Sequence, residues 1–172
     1  MFEYFYKHIQ FNDNYVIITH YVLEEYEQET SNPELTYQSY MDQTIQTYEL
    51  AHRLNYCELT NISDESIEIK MKKYEILLDQ IDNFKGKKPF IKKFCKLLEQ
   101  MYLNKIVHLD FAPRNIGIDS NGNFKLIDLN DIYEFKEKQE FINFLNLFKF
   151  EFNHTGLGNK YSKACEIILQ KI

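Results

Sequence analysis

Glycine is scarce in this chain and is missing from its first half. The 172 residues include five glycines, fewer than half of the number expected at an average usage of about 7%. The first of them is Gly86. A phosphate-binding loop needs glycines because backbone N–H groups must approach the anion closely. The N-terminal half is therefore predicted to contain no glycine-rich phosphate-binding loop.

Patterned cysteines and long hydrophobic runs are also missing. Cys57, Cys95 and Cys165 are odd in number, widely spaced and without a CxxC pair, which argues against a disulfide framework or a zinc site. No stretch approaches the roughly 18 consecutive apolar residues of a membrane span. No N-terminal apolar run follows a positively charged segment. We therefore expect a soluble, cytoplasmic protein without membrane contact, whose thiols are buried.

Basic residues are nearly absent from the first 69 positions. This segment holds two basic residues, Lys7 and Arg53, and thirteen acidic ones, a net charge of −11, whereas residues 70–172 carry +5. Such an acidic segment repels nucleic acid. We expect no nucleic-acid partner, and a basic protein is a candidate partner of the acidic half. The six lysines between positions 85 and 96 are interpreted as a solvated helix face.

The first half of the chain predicts two hairpins around a helix. Aromatic and β-branched residues at 2–10 and 15–23 flank a polar tip, which indicates a hairpin, although 15–29 could also form a helix capped by Asn14. Apolar residues recur at helical spacing over 34–54. The segment 57–71 contains two short apolar runs around a polar turn and predicts a second hairpin.

The second half predicts mainly helices with one small hairpin. The strands of that hairpin are IGI and FKLI, and the Asn-Gly between them is a strong turn signal. Pro89 is a favourable first residue for the helix that carries the longest apolar stripe. The other predicted helices cover 74–83, 135–150 and 159–171. Hairpins followed by helices are typical of an α+β domain, and the length suits a single domain.

Three polar side chains stand at the edges of the predicted short strands. Asp110 and Asn115 follow the strand that begins at Ile106, and Asp128 ends the strand FKLI. A tight hairpin brings Asn115 and Asp128 to the same end of the two strands. Carboxylate and amide oxygens together with substrate phosphates are ligands that Mg²⁺ prefers. The sequence therefore predicts a magnesium site at Asn115 and Asp128, and it leaves Asp110 to act on a hydroxyl.

The spacing of these residues resembles that of a known superfamily. The pattern H-x-D-x-x-x-x-N, formed by His108, Asp110 and Asn115, is followed thirteen residues later by Asp128 at the end of an apolar strand. It resembles the catalytic loop and metal-binding Asp of the protein-kinase-like superfamily, which includes protein kinases and aminoglycoside-type phosphotransferases. The resemblance implies an α+β kinase-like fold in one domain, with a reduced, β-rich small lobe over 1–71 and a mainly helical large lobe over 72–172.

The resemblance also implies roles for residues of the large lobe. Asp110 resembles the base that accepts the substrate hydroxyl proton, and Asn115 and Asp128 resemble the magnesium ligands that bridge the phosphates of ATP. His108 resembles the structural histidine of the catalytic loop, 108–115. Arg114 occupies the place of an arginine near the transferred phosphate in some kinases, and a surface ion pair is the equal alternative.

The small lobe departs from the superfamily's pattern. Besides the missing glycine loop, the strand 15–23 has no phosphate-binding lysine and reads Thr19-His20 where that lysine is expected. Lys7 is the candidate substitute, and the alternative is that nothing replaces it. Met71 resembles the first residue of the hinge that receives adenine.

Further departures concern the helix of the small lobe and the segment after the catalytic loop. Glu49 and Glu34 are candidates for the helix carboxylate that pairs with the missing lysine. Leu109 stands where many kinases have the arginine that binds a phosphorylated activation loop. Asp128 is followed by Leu-Asn rather than Phe-Gly, and helical sequence begins within about ten residues. We therefore expect no regulation by loop phosphorylation.

The function predicted from the sequence is an ATP- and Mg²⁺-dependent phosphotransferase that moves the γ-phosphate to a hydroxyl. A protein hydroxyl is favoured over a small molecule, because the segment from Met71 to Asp110 is short and resembles that of protein kinases. The first alternative is an inactive kinase-like module that binds nucleotide or protein. A second alternative is other chemistry on the same fold, such as nucleotidyl transfer.

Overall fold

A computed structural model of the chain describes residues 5–22, 37–63, 66–84 and 89–172. The chain divides into two compact units, residues 1–73 and 74–172. The ends of three predicted elements, at positions 2–4, 23–29 and 34–36, lie outside the described residues, as does Glu34. In the described part of the chain no helix is long and apolar enough to cross a membrane.

The first unit is a four-stranded antiparallel sheet with one helix. The strands are β1 (Phe5–Phe11), β2 (Tyr15–Val22), β3 (Glu58–Ile62) and β4 (Ser66–Lys72), and their order in the sheet is β1-β2-β4-β3. Helix α1 spans Tyr37–Arg53. Both predicted hairpins and the helix are confirmed. The helical alternative for 15–29 is wrong over Tyr15–Val22, because β2 is hydrogen-bonded between two neighbouring strands.

The register of the sheet explains its core. Ile18 of β2 pairs with Ile69 of β4, and both side chains are buried, as is Ile67 two residues away on the same face. Alternation of this kind buries one face of a strand and leaves the other to solvent. Tyr48 and Ala51 of α1 are fully buried too. The sheet and the helix therefore supply one hydrophobic core for the first unit.

The second unit combines helices with two small antiparallel sheets. One sheet has the order β5-β7-β8, and the other pairs β6 with β9. The strands are β5 (Glu75–Ile76), β6 (Ile106–His108), β7 (Ile116–Ile118), β8 (Phe124–Leu126) and β9 (Ile132–Glu134). The helices are α2 (Ile81–Phe84), α3 (Pro89–Leu103), α4 (Lys138–Leu147), α5 (Lys149–His154) and α6 (Gly158–Leu169).

The helix predicted over 74–83 is wrong for most of its length. Glu75 and Ile76 form strand β5 and pair with Ile118 and Gly117 of β7. The N–H of Leu77 extends this pairing by donating to the carbonyl of Ile116 at 2.8 Å, and the Leu77 side chain is fully buried. Only the short helix α2 remains. Hydrogen bonds to a neighbouring strand, together with burial of Leu77, outweigh the local helical pattern.

Aromatic rings fill the core of the second unit. Phe94 of α3 lies 5.2 Å from Phe152 of α5 and 5.6 Å from Tyr161 of α6, in both cases edge to face. Phe111, which follows Asp110, lies 5.9 Å from Phe94. Offset and edge-to-face pairs stabilise a core beyond their area alone. The high aromatic content of the sequence is thus used to bury the loop against the helices.

The C-terminal third differs from its prediction in two places. The helix expected over 135–150 is two helices, α4 and α5, separated at the buried Phe148. Strand β9 was not predicted and lies antiparallel to β6. The helix predicted over 159–171 is confirmed as α6. All three cysteines are free and buried, as expected.

Candidate active site

The loop that carries Asp110 is held between two strands. Strand β6 ends at His108, and β7 begins at Ile116. Pro113 opens a single 3-10 turn that ends at Asn115, whose N–H donates to the carbonyl of Ala112 at 2.9 Å. Proline suits this first position because its ring fixes φ and no N–H is required there.

His108 is completely buried and connects the two halves of the candidate site. Its Nδ1 accepts a hydrogen bond from the backbone N–H of Asp110 at 3.2 Å. Its Nε2 lies 3.0 Å from the carbonyl oxygen of Ile127 and 3.1 Å from that of Asp128. A backbone N–H can only donate, so Nδ1 carries no proton, and carbonyl oxygens can only accept, so Nε2 carries one. These partners assign the ring as a neutral imidazole with its proton on Nε2. His108 is therefore a buried, hydrogen-bonded residue that joins the two segments, and its role in the catalytic loop stays a prediction.

Asn115 presents its amide to Asp110. Its Nδ2 donates to the backbone carbonyl of Asp110 at 2.8 Å and to Oδ2 of the same residue at 2.7 Å. Both amide hydrogens are thereby used. The Oδ1 atom accepts no hydrogen bond from a described residue. In the described part of the chain, every side-chain oxygen without a hydrogen bond is accessible to solvent. The Oδ1 atom of Asn115 is therefore accessible as well. Asn115 therefore holds Asp110 through its Nδ2 atom, and its Oδ1 atom remains available to a ligand.

Asp128 lies beside Asn115 because of the hairpin between β7 and β8. Ile116 pairs with Leu126, and the N–H of Ile127 donates to the carbonyl of Asn115 at 3.0 Å. Asp128 is the next residue, with φ 57° and ψ 59°. A residue other than glycine in this left-handed region costs about 1–2 kcal/mol, and Asp is among those that tolerate it best. The turn that follows, Leu129–Asp131, leads directly into β9.

Arg114 forms ion pairs with two carboxylates. Its Nη2 donates to Oδ1 of Asp110, and its Nη1 lies 3.4 Å from Oε2 of Glu151 on α5. All three side chains remain partly exposed. Of the two interpretations from the sequence, the structure shows the ion pair, and contact with a phosphate stays a prediction. Glu151 was missed because it lies 37 residues from Arg114 along the chain.

The donor set fits a magnesium ion that is shared with a nucleotide. In the segments that the structure describes, no group of three or more His, Cys, Asp or Glu side chains could hold a metal by itself. The Oδ1 atom of Asn115 and the carboxylate of Asp128 are hard oxygen donors of the type that Mg²⁺ takes. Mg²⁺ usually keeps several waters and binds through one or two carboxylates together with substrate phosphates. A small protein donor set is compatible with such an ion, and a magnesium ion at Asn115 and Asp128 stays a prediction.

The predicted residues of the small lobe lie in the first unit. Lys7 is on β1 opposite His20 of β2, and Met71 is buried on β4 opposite Val16. Glu49 is an exposed residue of α1. Roles in nucleotide binding for Lys7, Met71 and Glu49 stay predictions.

His20, at the place where a lysine was expected on β2, is a buried residue. Its Nε2 lies 2.7 Å from the hydroxyl of Tyr48 on α1, and both side chains are almost fully inaccessible to solvent. The neighbouring Thr19 is buried as well. This hydrogen bond joins β2 to α1 at the position where a lysine was expected. It gives both the His20 Nε2 atom and the Tyr48 hydroxyl a partner, as buried polar atoms require.

The comparison with known proteins supports the fold and does not extend to a sequence family. No protein-family model matches the chain, and no curated protein matches its sequence. Solved structures of WbdD, described as a bifunctional kinase-methyltransferase, do match it. The alignment with one of them has a TM-score of 0.55 at 16% identity and covers 84% of this chain and 33% of the WbdD chain. The fold is kinase-like.

Two further WbdD structures agree with this kinase-like fold. A monomeric form has a TM-score of 0.52 at 17% identity, covering 83% of this chain and 37% of that one. A complex with a kinase inhibitor has a TM-score of 0.52 at 15% identity, covering 96% and 48%. The kinase-like chain thus spans about a third to a half of the length of these structures. The α+β kinase-like fold predicted from the sequence is confirmed.

Proposed function

We propose that the chain is an ATP- and Mg²⁺-dependent phosphotransferase that moves the γ-phosphate of ATP to a hydroxyl. The observation that carries this proposal is the orientation of the Asn115 amide. Its nitrogen holds the carboxylate of Asp110, while its oxygen is left for a cation beside Asp128. One side chain thereby positions a base and supplies a metal ligand. The kinase-like fold supports the same reaction.

Asp110 is the group that handles the proton of the acceptor hydroxyl. Arg114 binds its Oδ1 and Asn115 binds its Oδ2, so the carboxylate is held in one orientation before substrate arrives. An ionised carboxylate has about four lone-pair sites, and two donors leave sites for the hydroxyl. As the hydroxyl oxygen bonds to the γ-phosphorus, the bond from that phosphorus to the bridging oxygen breaks. The electron pair of that bond leaves with ADP, and the hydroxyl proton passes to Asp110.

Asn115 Oδ1 and the carboxylate of Asp128 are the atoms that would hold the magnesium ion. The ion supplies neutralisation of the phosphate charge when it is bound. The protein fixes these two ligands through the β7–β8 ladder and through His108, which binds the backbone carbonyl of Asp128. Little further reorganisation is then needed, which is how positioned charges accelerate phosphoryl transfer.

The acceptor that this proposal favours is a protein hydroxyl, because the segment from Met71 to Asp110 is short and resembles that of protein kinases. Helix α4 begins at Lys138, ten residues after Asp128, and strand β9 occupies part of the interval. This short connection leaves no long segment for peptide binding, so the acceptor must be recognised by other surfaces. A basic protein partner for the acidic first half, and a location in the cytoplasm, belong to the same proposal.

Transfer of labelled phosphate tests the proposal. The purified full chain would be incubated with γ-labelled ATP, Mg²⁺ and a mixture of protein and small hydroxyl acceptors. Asp110→Asn and Asp128→Ala are each expected to lower transfer by about a hundredfold or more, on the scale of losing one positioned group in an enclosed site. Asp79→Asn is the matched control, because Asp79 is an exposed turn residue outside the site. Absence of both nucleotide binding and transfer in the wild type contradicts the proposal.

An inactive nucleotide-binding module is the second candidate. The buried His20–Tyr48 hydrogen bond favours it. His20 stands on β2 where kinases have the phosphate-binding lysine, and its side chain is buried in the core instead. In this case Mg²⁺-ATP raises the melting temperature of the wild type, and Asp128→Ala abolishes the shift, while no acceptor is labelled. Lys7→Ala separates the roles further: unchanged affinity and turnover would remove Lys7 from either mechanism.

A further inference from the structure

A large cavity lies between α3 and α6, on the second unit. Its volume is about 970 Å³, and the turn between β7 and β8 contributes one wall at Asn123. We call this cavity the α3–α6 groove. It contains none of the residues assigned to the candidate active site. Its lining consists of Ile91, Lys92, Lys93, Cys95, Lys96, Glu99, Asn123, Ile167 and Lys171.

The floor of the groove is apolar. Ile91 and Cys95 lie one helical turn apart on α3, and Ile167 comes from α6. The thiol of Cys95 is turned towards the carbonyl of Ala164, at 3.8 Å, rather than to solvent. An apolar concave surface of this size suits an aliphatic side chain from a partner, since its burial removes apolar area from water.

The rim of the groove is strongly basic. Among the described residues, its charged lining consists of Lys92, Lys93, Lys96 and Lys171 with one acid, Glu99, whose Oε1 lies 3.2 Å from the ammonium of Lys171. Lys92 and Lys96 form no ion pair or hydrogen bond with any residue in the described ranges. They stand at i and i+4 on α3, where like charges repel and destabilise a helix.

This basic rim is unexpected in an acidic chain. The net charge of the protein is −6, and the fold gains nothing from the repulsion between Lys92 and Lys96. Lys92, Lys93 and Lys96 line a concave surface together with Ile91 and Ile167, which a helix face exposed only to solvent need not do. The ammonium of Lys93 lies beside Gly122, in the turn between β7 and β8. The exposure of Lys92 and Lys96 agrees with the solvated helix face expected from the sequence, and the cavity beside them is a tertiary feature that a sequence does not show.

We propose that the α3–α6 groove binds an acidic, amphipathic segment of another protein. Aliphatic side chains of that segment occupy the floor at Ile91 and Ile167, and Asp or Glu side chains bind Lys92 and Lys96. Charge complementarity carries the choice of partner. The protein as a whole carries a net charge of −6, which opposes association with a polyanion such as nucleic acid or an anionic membrane more than with a short peptide that bears few charges.

An unbiased selection tests the proposal. A displayed library of 16-residue peptides would be selected on the full chain, and the affinity of winning peptides measured by fluorescence anisotropy. The expected winners combine Asp or Glu with Leu, Ile or Phe, and their affinity falls as salt is raised. Lys92→Glu with Lys96→Glu is expected to raise the Kd about tenfold or more, since two attractions become repulsions. Ile167→Thr is expected to raise it as well, which simple ion exchange would not produce.

Matched controls make each result decisive. Lys105→Glu with Lys136→Glu reverses two exposed lysines of the same unit outside the groove and is expected to leave the Kd within about twofold. Winning peptides that are neutral or basic, or that bind the Lys92/Lys96 variant equally well, overturn the proposal. So does groove-dependent binding of single-stranded RNA or of vesicles of phosphatidylcholine with phosphatidylglycerol. Sedimentation could instead show that the chain self-associates and that this requires Lys92 and Lys96. That result would overturn the proposed partner in favour of a second copy of the chain.

Discussion

The backbone N–H of Asp110 and the backbone carbonyl of Asp128 bind opposite nitrogens of one buried imidazole, that of His108. These two residues are eighteen positions apart in the sequence and are here joined by a single side chain. The imidazole must be neutral to accept at Nδ1 and donate at Nε2. The alignment of the proposed base with the proposed metal ligand therefore depends on a fully buried side chain.

Replacing His108 by Ala is expected to lower both stability and turnover. The change leaves a cavity and unpaired backbone groups at Asp110, Ile127 and Asp128, so the free energy of unfolding should fall by about 2–4 kcal/mol. Chemical denaturation measures this loss, and steady-state transfer measures the loss in kcat. His154→Ala is the control, because His154 is exposed and contacts only Phe150 in the described chain. Unaltered stability and kcat in His108→Ala would contradict the connection.

Replacing Arg114 by Lys is expected to reduce kcat by about ten- to a hundredfold with a change in stability below about 1 kcal/mol. A lysine ammonium cannot bind Asp110 and Glu151 together in the fork geometry of the guanidinium. Glu151→Gln should produce a smaller reduction of the same kind, because Arg114 keeps its bond to Asp110. Equal kcat values for wild type and Arg114→Lys, measured at saturating ATP, would remove Arg114 from the mechanism.

Replacing Gly117 by Ala is expected to destabilise the second unit by about 1–3 kcal/mol. A Cβ at this position would lie 2.6 Å from Cβ of Tyr74 and 3.0 Å from Cγ2 of Ile127. Neither atom can move away easily, since Tyr74 leads into β5 and Ile127 is bonded to Asn115. Thermal unfolding checks the effect, with Ser120→Ala as the exposed control in the same hairpin. A melting temperature equal to that of the control would show that Tyr74 and Ile127 can move away from an added Cβ at little cost.

The carboxylate of Asp119 is expected to give the hairpin a pH-dependent stability. Partial burial acts to raise its pKa, but hydrogen bonds from Asn123 and Asn121 and the charge of Lys125 outweigh this, so the pKa lies below its ordinary value. A lowered pKa stabilises the fold above the ordinary Asp value of about 3.9 and ceases to do so as the pH falls through the folded-state pKa.

Asp119→Ala should therefore destabilise the protein most at neutral pH. The difference in the free energy of unfolding between wild type and variant is expected to be about 0.5–2 kcal/mol at pH 7, as for other side chains that bind turn N–H groups. It should shrink as the pH is lowered below about 4. Urea titrations between pH 7 and pH 3 measure the trend. A difference that stays constant or grows in acid would show the opposite sign of the pKa shift.

The sequence located the candidate site because the site is local in the chain. His108, Asp110 and Asn115 fall within eight residues, and the Asn-Gly turn returns the chain to Asp128. Hairpin geometry then determines which strand ends meet, as the pairing of Ile116 with Leu126 shows. Spacing and turn chemistry are properties that a sequence carries directly.

The missed features depend on contacts between distant segments. Strands β5 and β9 have two and three residues, too few for any periodicity, and they exist because β7 and β6 offer them partners. Glu151 approaches Arg114 only when α5 packs in the unit. The division at Phe148 of the helix predicted over 135–150 likewise accompanies burial of that ring. Local patterns are overridden in each case by tertiary packing.

The ladder between β6 and β9 joins the segments on either side of the site into one cooperative opening unit. Ile106–His108 pair with Ile132–Glu134, and the N–H of Leu109 extends the ladder by donating to the carbonyl of Asp131 at 2.8 Å. Amide protons in such a unit exchange together with deuterium, when the whole ladder opens. Movement of the chain after Asp128 would thus also release the loop at Asp110. We therefore expect closure of this ladder to set the fraction of molecules in which the loop at Asp110 and the chain after Asp128 are both in place.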